Sequence, residues 1–145
     1  MKVVFGSDPN ATAFKEALMA YVKELGYEAY DMGSDDPIYA NVAFAVAKAV
    51  AAKKYDRGIL LCGTGIGVSI AANKVKGAYA ACIHDVYQAQ RAQLSNCANI
   101  ITMGSQVIGI ELAKCMVKEY LSLTFDTNSR SKSKVDRIID FENEE

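Results

Sequence analysis

Gly58-Ile-Leu-Leu-Cys62-Gly-Thr-Gly-Ile-Gly67-Val-Ser-Ile-Ala-Ala-Asn-Lys74 decides how the chain is built. Residues 58–61 form an apolar run of the kind a strand shows when both its faces are buried. The run ends at Cys62 and enters Gly63, Thr64, Gly65, Ile66 and Gly67, after which residues 68–74, starting at Val68, read as a helix. Three glycines in five positions let a backbone turn sharply and bring its N–H groups close to a ligand. A helix N-terminus favours negative charge, including that of a nearby thiolate. Cys62 is therefore expected where a strand delivers it to an anion-binding turn, which points to thiolate chemistry on an anionic substrate. A plainer alternative stands beside this one. Such turns recur throughout α/β proteins, and a cysteine at a strand end is often a small buried hydrophobe. The spacing is neither the Gly-x-Gly-x-x-Gly of dinucleotide folds nor a phosphate loop ending in Gly-Lys-Ser/Thr.

On either side of this turn, strand and helix patterns alternate. Strands are predicted at 2–7, 27–32, 57–61, 79–83 and 99–103. Helices are predicted at 11–25, 38–53, 68–74, 84–94, 108–123 and 132–141. Asn10 or Thr12 is a candidate cap for the first helix, and Pro37 a first-turn residue of the second. The alternation predicts an α/β chain: a three-layer α/β/α sandwich around a five-stranded, mainly parallel, Rossmann-like sheet. One domain is expected over 1–145, with 131–145 as a C-terminal helix and tail whose acidic end, 142–145, frays. Ligands of such sheets bind beyond the carboxyl ends of the strands. Those ends are Asp8, the loop 33–37, the turn 62–67, His84-Asp85 and Gly104-Ser105. Capping a helix is the commoner role for an aspartate placed as Asp8 is.

Composition narrows the partners. Apolar residues make up 51 % of the 145, yet no run approaches the ~20 that cross a membrane. The N-terminus goes straight into a strand, without signal-peptide architecture, and a cytoplasmic protein is expected. Four cysteines with no Cys-x-x-Cys pair read as reduced thiols, and a single histidine argues against a dedicated zinc site. A net charge of −1 gives no electrostatic case for nucleic acid.

Cys62-Gly-Thr-Gly-Ile-Gly followed by Ser69-Ile-Ala-Ala-Asn-Lys74 resembles the signature of the ribose-5-phosphate isomerase B family, which includes the galactose-6-phosphate isomerase subunits. Gly6-Ser7-Asp8, Asp56-Arg57-Gly58, His84-Asp85-Val86-Tyr87, Asn96-Cys97-Ala98-Asn99 and Gly104-Ser105-Gln106-Val107-Ile108-Gly109 match in the expected order. The resemblance implies aldose–ketose isomerisation of a phosphorylated sugar through an enediolate, with no metal or organic cofactor. It implies that Cys62 is the base between C1 and C2, and that Thr64 helps move protons between the substrate oxygens. Asp8 is counted with these catalytic candidates. Backbone N–H groups of Gly63, Gly65, Gly67 and Val68 would hold the enediolate, with Asn96 and Tyr39 as further substrate contacts. Arg130 and Lys134, four apart and so on one face of a helix, would grip the phosphate. In the family those positions come from the other subunit of a dimer, so a C-terminal helix reaching a partner subunit is expected. The assembly implied is a homodimer or homotetramer, or a pairing with a paralogous subunit.

Departures from the family bear on the substrate. Members acting on ribose 5-phosphate usually carry histidine after the aspartate; here Pro9 offers neither a polar side chain nor an N–H. They also carry a ring-opening histidine where this chain has Ser95, and an aromatic residue where it has Asp36. His84 belongs to another position and reads as a helix-start residue. Keeping the cysteine while losing the ring-opening group fits an acyclic substrate, such as a tetrose or tetrulose phosphate, which cannot close a five-membered ring. It also fits a hexose 6-phosphate whose missing groups come from a different partner subunit, another sugar phosphate whose ring opens spontaneously or with help from Asp8 or Asp36, or a catalytically incomplete sugar-phosphate-binding subunit of a hetero-oligomeric isomerase. A flavin or nucleotide module would need a fingerprint this chain lacks.

Overall fold

The apolar run before Cys62 becomes the central strand of a parallel sheet in the computed structural model, which describes residues 1–144. The strands are β1 (Lys2–Ser7), β2 (Glu28–Asp31), β3 (Arg57–Cys62), β4 (Ala80–Cys82) and β5 (Ile100–Gly104). The helices are α1 (Thr12–Glu24), α2 (Tyr39–Ala51), α3 (Ile66–Ala72), α4 (Val86–Leu94), α5 (Ile110–Ser122) and α6 (Lys132–Glu144). The sheet order is β2-β1-β3-β5-β4, and every neighbouring pair is parallel. All six residues of β3 are buried, as a strand covered on both faces requires.

The order determines which face each helix covers, because a parallel crossover is almost always right-handed. The connections β1 to β2 and β4 to β5 step across the sheet one way, and β2 to β3 and β3 to β4 step the other. Accordingly α1, α4 and α5 pack on one face, over Phe5, Ile59, Leu61, Ile101 and Met103. On the other face α2 and α3 pack over Val4, Leu60, Cys62 and Ile100. Each fully buried Leu or Ile in these layers stabilises the fold by roughly 1.5–3 kcal/mol.

Several boundaries differ from the sequence pattern. A 3-10 turn, Pro9–Ala11, precedes α1, and Asp8 rather than Asn10 or Thr12 caps it, accepting the Ala11 N–H at 3.1 Å. Pro37 lies two residues before α2 instead of in its first turn, and Asp36 accepts the Ile38 N–H at 2.8 Å to start that helix. The acidic end does not fray: α6 continues to Glu144, and Glu142 accepts the Gly77 N–H at 2.9 Å and the Tyr79 hydroxyl at 2.6 Å. Residue 145 lies outside the described residues. The outer side of β4 faces α6, with Ala80 and Ala81 opposite Val135, Ile138 and Ile139. There the Asn73 side chain pairs with Ala80 as a strand would, donating to its carbonyl at 2.9 Å and accepting its N–H at 2.8 Å.

Candidate active site

β1 connects outward to β2, and the chain then returns across β1 to β3, so connections leave the ends of β1 and β3 in opposite directions. A crevice opens at such a point in an α/β sheet. Ser7 pairs with Leu61 here, and the Asp8 N–H donates to the Leu61 carbonyl at 3.2 Å. Asp8 and Cys62, each one residue further, thus stand side by side at the ends of neighbouring strands.

Cys62 is a free thiol, 5 % exposed, whose Sγ accepts the Gly65 N–H at 3.1 Å. Gly65 has φ +79°, and a Cβ there would stand 2.7 Å from the Met103 carbonyl carbon and 2.9 Å from Gly104 N. A Cβ on Gly104 would in turn lie 2.5 Å from the Thr64 carbonyl carbon. The turn is pressed backbone to backbone against the end of β5, and glycine is needed on both sides of the contact. Hydrogen bonds fix it there: Ser105 N–H to the Cys62 carbonyl at 2.8 Å, Gln106 N–H to the Gly63 carbonyl at 3.0 Å, and the Thr102 hydroxyl to the Gly65 carbonyl at 2.7 Å. Donors held this way stabilise a developing oxyanion without reorganising.

The first-turn N–H groups of α3, at Gly67 and Val68, have no intrahelical acceptor, because a helix starts with orphan donors and no side chain caps this one. The Ile66 N–H donates to Thr64 Oγ1 at 3.3 Å, which leaves the exposed Thr64 hydroxyl its own proton to give. Tyr39, first residue of α2, lies across Gly67, where a Cβ would collide with its ring and hydroxyl. The structure therefore gathers Asp8, Cys62, Gly63, Thr64, Gly65, Gly67, Val68 and Tyr39 at one end of the sheet. Gln106 joins them: its side-chain Oε1 would stand 3.2 Å from a Cβ on Gly63. Its signal in the sequence was its place two residues past a strand end.

Asn96, Arg130 and Lys134 are not part of this group. Asn96 follows α4 and precedes β5, toward the amino end of the sheet, whereas Cys62 ends β3 at the carboxyl end. With Tyr87, Arg91, Ser95, Arg130 and Lys134 it lines a separate cavity of about 460 Å³. Arg130 and Lys134 do not share a helix face, since α6 begins only at Lys132 and Arg130 sits in the turn before it. The cavity brings them together all the same. His84 is exposed and its N–H donates to Gln88 Oε1 at 2.6 Å, while Asp85 accepts the Gln88 N–H at 2.7 Å. That is a helix-start arrangement, as expected.

Near the loop 33–37, Lys15 escaped sequence reasoning, and Asp36 was read only for its bearing on the substrate. Lys15 is 1 % exposed, its Nζ donating to Asp31 Oδ1 at 2.8 Å and Ser34 Oγ at 3.0 Å, which ties the loop to α1. Asp36 has its carboxyl held below the ordinary value, first by the Asn41 side chain and then by the Ile38 N–H.

A buried thiol thus stands in a donor-lined turn at the crevice of a parallel α/β sheet, where such folds bind their ligands. Residues 3–138 match the Ribose/Galactose Isomerase family. The chain is 46 % identical to D-erythrulose-4-phosphate isomerase 2 of Mycolicibacterium smegmatis, over 98 % of this chain and 97 % of that one. It is 45 % identical to Ribose-5-P isomerase B of Listeria innocua, over 94 % and 93 %. A solved structure of Clostridium thermocellum ribose-5-phosphate isomerase B superposes with a TM-score of 0.93 at 37 % identity, covering 99 % of each chain. The chain belongs to the ribose/galactose isomerase family, and with it to the aldose–ketose isomerases of sugar phosphates. Among the described residues, no helix is long and apolar enough to cross a membrane.

Proposed function

We propose that this chain, as one sugar-phosphate isomerase domain, interconverts a four-carbon aldose phosphate and its ketose through an enediolate, with Cys62 as the base. The observation that carries the chemistry is the Cys62 thiol, buried at the crevice, held by the Gly65 N–H at 3.1 Å and next to the open N–H groups that start α3. The Cys62 thiolate takes a proton from the carbon beside the carbonyl, and the electron pair moves onto the carbonyl oxygen. Gly67 and Val68 N–H groups hydrogen-bond that oxygen. Thr64, whose Oγ1 is oriented by the Ile66 N–H, passes the hydroxyl proton from one oxygen to the other. Cys62 then returns its proton to the neighbouring carbon and is regenerated. Asp8 caps the turn beside Cys62 and so positions the wall of the site. Substrate and product are isomers, so the cycle balances without a redox partner.

Phosphate is gripped by Arg130 and Lys134, with Asn96 beside them. Because they sit away from Cys62, the complete site needs a second copy of this chain, or a paralogue, whose cavity faces the Cys62 turn. A homodimer or homotetramer in the cytoplasm, where thiols stay reduced, fits this requirement. Support for a four-carbon substrate comes from Pro9 and Ser95, which cannot supply the phosphate-binding and ring-opening groups of ribose-5-phosphate enzymes, and from the erythrulose-phosphate relative.

Incubation with four- to six-carbon aldose and ketose phosphates in deuterated water, read by NMR, tests the proposal. Deuterium uptake at C1 or C2, highest for the four-carbon members and abolished in Cys62→Ala, is expected. Efficient turnover of ribose 5-phosphate by the pure homomer would refute the substrate. Full exchange in Cys62→Ala would refute the base.

A further inference from the structure

The cavity that holds Arg130 and Lys134 contains a third cation that nothing above accounts for. Arg91 lies on α4, and its Nε donates to Ser95 Oγ at 2.6 Å, one helical turn further on. Ser95 is the residue that stands in the ring-opening position. The serine therefore serves as an anchor: it takes the Nε proton of Arg91 and fixes the plane of the guanidinium. The terminal nitrogens of Arg91 make no hydrogen bond or ion pair among the described residues, so the two-pronged end of the side chain is available to the cavity.

Charge balance points the same way. On α6, Lys132 pairs with Asp136 at 2.6 Å and Arg137 with Glu144 at 3.0 Å, both outside the cavity. Arg91, Arg130 and Lys134 share one cavity and pair with no carboxylate among the described residues. Like charges gathered in one cleft repel, and a bound anion relieves that repulsion. A guanidinium with its terminal nitrogens free matches two oxygens of a phosphate at once, which a lysine cannot do.

We infer that Arg91 is a specificity-determining residue of the isomerase, binding the substrate's phosphate with Arg130 and Lys134, and that Ser95 is its positioning residue. The inference rests on the assignment of the cavity to the phosphate end of the substrate. It also gives the loss of a ring-opening group at position 95 a chemical purpose. An acyclic four-carbon substrate needs no ring opening, and it presents its phosphate closer to the reacting carbons than a pentose does. A phosphate ligand added on the α4 side, where the ring-opening group would stand, suits that shorter reach.

Calorimetric titration with inorganic phosphate tests the cavity without turnover, and steady-state kinetics on four- and five-carbon sugar phosphates test specificity. Arg91→Gln should weaken phosphate binding about tenfold or more, the scale of a lost charge-assisted bond, and raise KM for the four-carbon substrate by a similar factor. The change in kcat should be smaller, within about threefold, because the contact is made in ground and transition states alike. The preference for four carbons over five should fall with it. Arg91→Lys should restore part of the binding, and Ser95→Ala should give the same pattern, weaker. Should Arg91→Gln fail to fold, those two variants decide by the same readouts. Unchanged phosphate affinity in folded variants, or a fall in kcat with KM unmoved, overturns the inference. Arg91-dependent phosphate binding in a protein that turns over no four-carbon sugar would instead refute the substrate proposed above and leave the Arg91 site standing.

Discussion

Replacing Gly65 by alanine probes the contact that fixes the turn after Cys62, and two other glycines separate its components. Gly26 has φ +93° with nothing within 4 Å of a Cβ, so Gly26→Ala isolates the cost of a left-handed backbone, ~1–2 kcal/mol. Gly104 has no positive φ, but its Cβ would meet the Thr64 carbonyl carbon at 2.5 Å, so Gly104→Ala isolates the clash. Forcing an extra carbon into a packed site costs roughly 1–3 kcal/mol, toward the upper end where backbone must yield. Gly65→Ala carries both, with backbone atoms at 2.7 and 2.9 Å, and should cost about 3–5 kcal/mol. Urea unfolding with a constant m-value gives the three figures. A Gly65→Ala protein that still folds should lose about 10²–10³ in kcat, since the turn's donors leave the position of the oxyanion. Gly65→Ala no costlier than Gly26→Ala, with kcat retained, would show that the turn is not held against β5 and would refute the reasoning.

Lys15→Met keeps the buried stem and removes the ammonium, leaving Ser34 short of a partner while Asp31, 40 % exposed at its side chain, turns to water. The cost should be roughly 1–2 kcal/mol by chemical denaturation, and Lys15→Ala should cost about 2 kcal/mol more because it also leaves a cavity. Tyr79 is held up at about 12 from an ordinary 10.0, first by burial and then by its hydrogen bond to Glu142. The neutral phenol is the donor, so its contribution to stability is complete below pH 10 and is lost as pH rises through about 12. Tyr79→Phe should therefore speed hydrogen exchange in the α6 amides at neutral pH, and equal exchange in the two proteins would show that the contact does not hold α6. The Asp36 carboxyl, shifted down chiefly by Asn41, supports the start of α2 above its unfolded value of 3.8 and loses that role as pH falls through the lower folded value. Carbon-detected NMR titration of Asp36 should move toward 3.8 in Asn41→Ala.

The parts of the fold visible in the chain were those fixed by local periodicity. The run 58–61 read as a doubly covered strand, and the alternation around it pointed to a mainly parallel sheet, as the structure has it. Strand order was not visible, because nothing local says that β5 inserts between β3 and β4. Helix starts were misplaced by one or two residues where an aspartate just outside the pattern, Asp8 or Asp36, outcompeted the expected Asn10, Thr12 or Pro37. The turn after Cys62 was legible because its tight backbone, pressed against the end of β5, demands glycine. Arg91 and Lys15 were not legible, for opposite reasons. Arg91 looks like any solvated helix cation until α6 is folded across it, and Lys15 occupies a core position that periodicity assigns to an apolar residue. The acidic end read as frayed because its partners, Gly77 and Tyr79, lie 65 and 63 residues away.

The amide of Asn73 and the helix that faces β4 also bear on what happens at high concentration. An unpaired strand edge is a template on which another chain can add, and long open edges are where native proteins begin to aggregate. Here the edge is three residues long, the outward-facing N–H and carbonyl of Ala80 are satisfied by the Asn73 side chain, and an amphipathic helix stands opposite it across a cavity of about 330 Å³. A chain truncated before residue 132 would lose Lys134 and also the helix opposite this edge. It would present a bare sheet margin, and its first failing in the test tube should be precipitation.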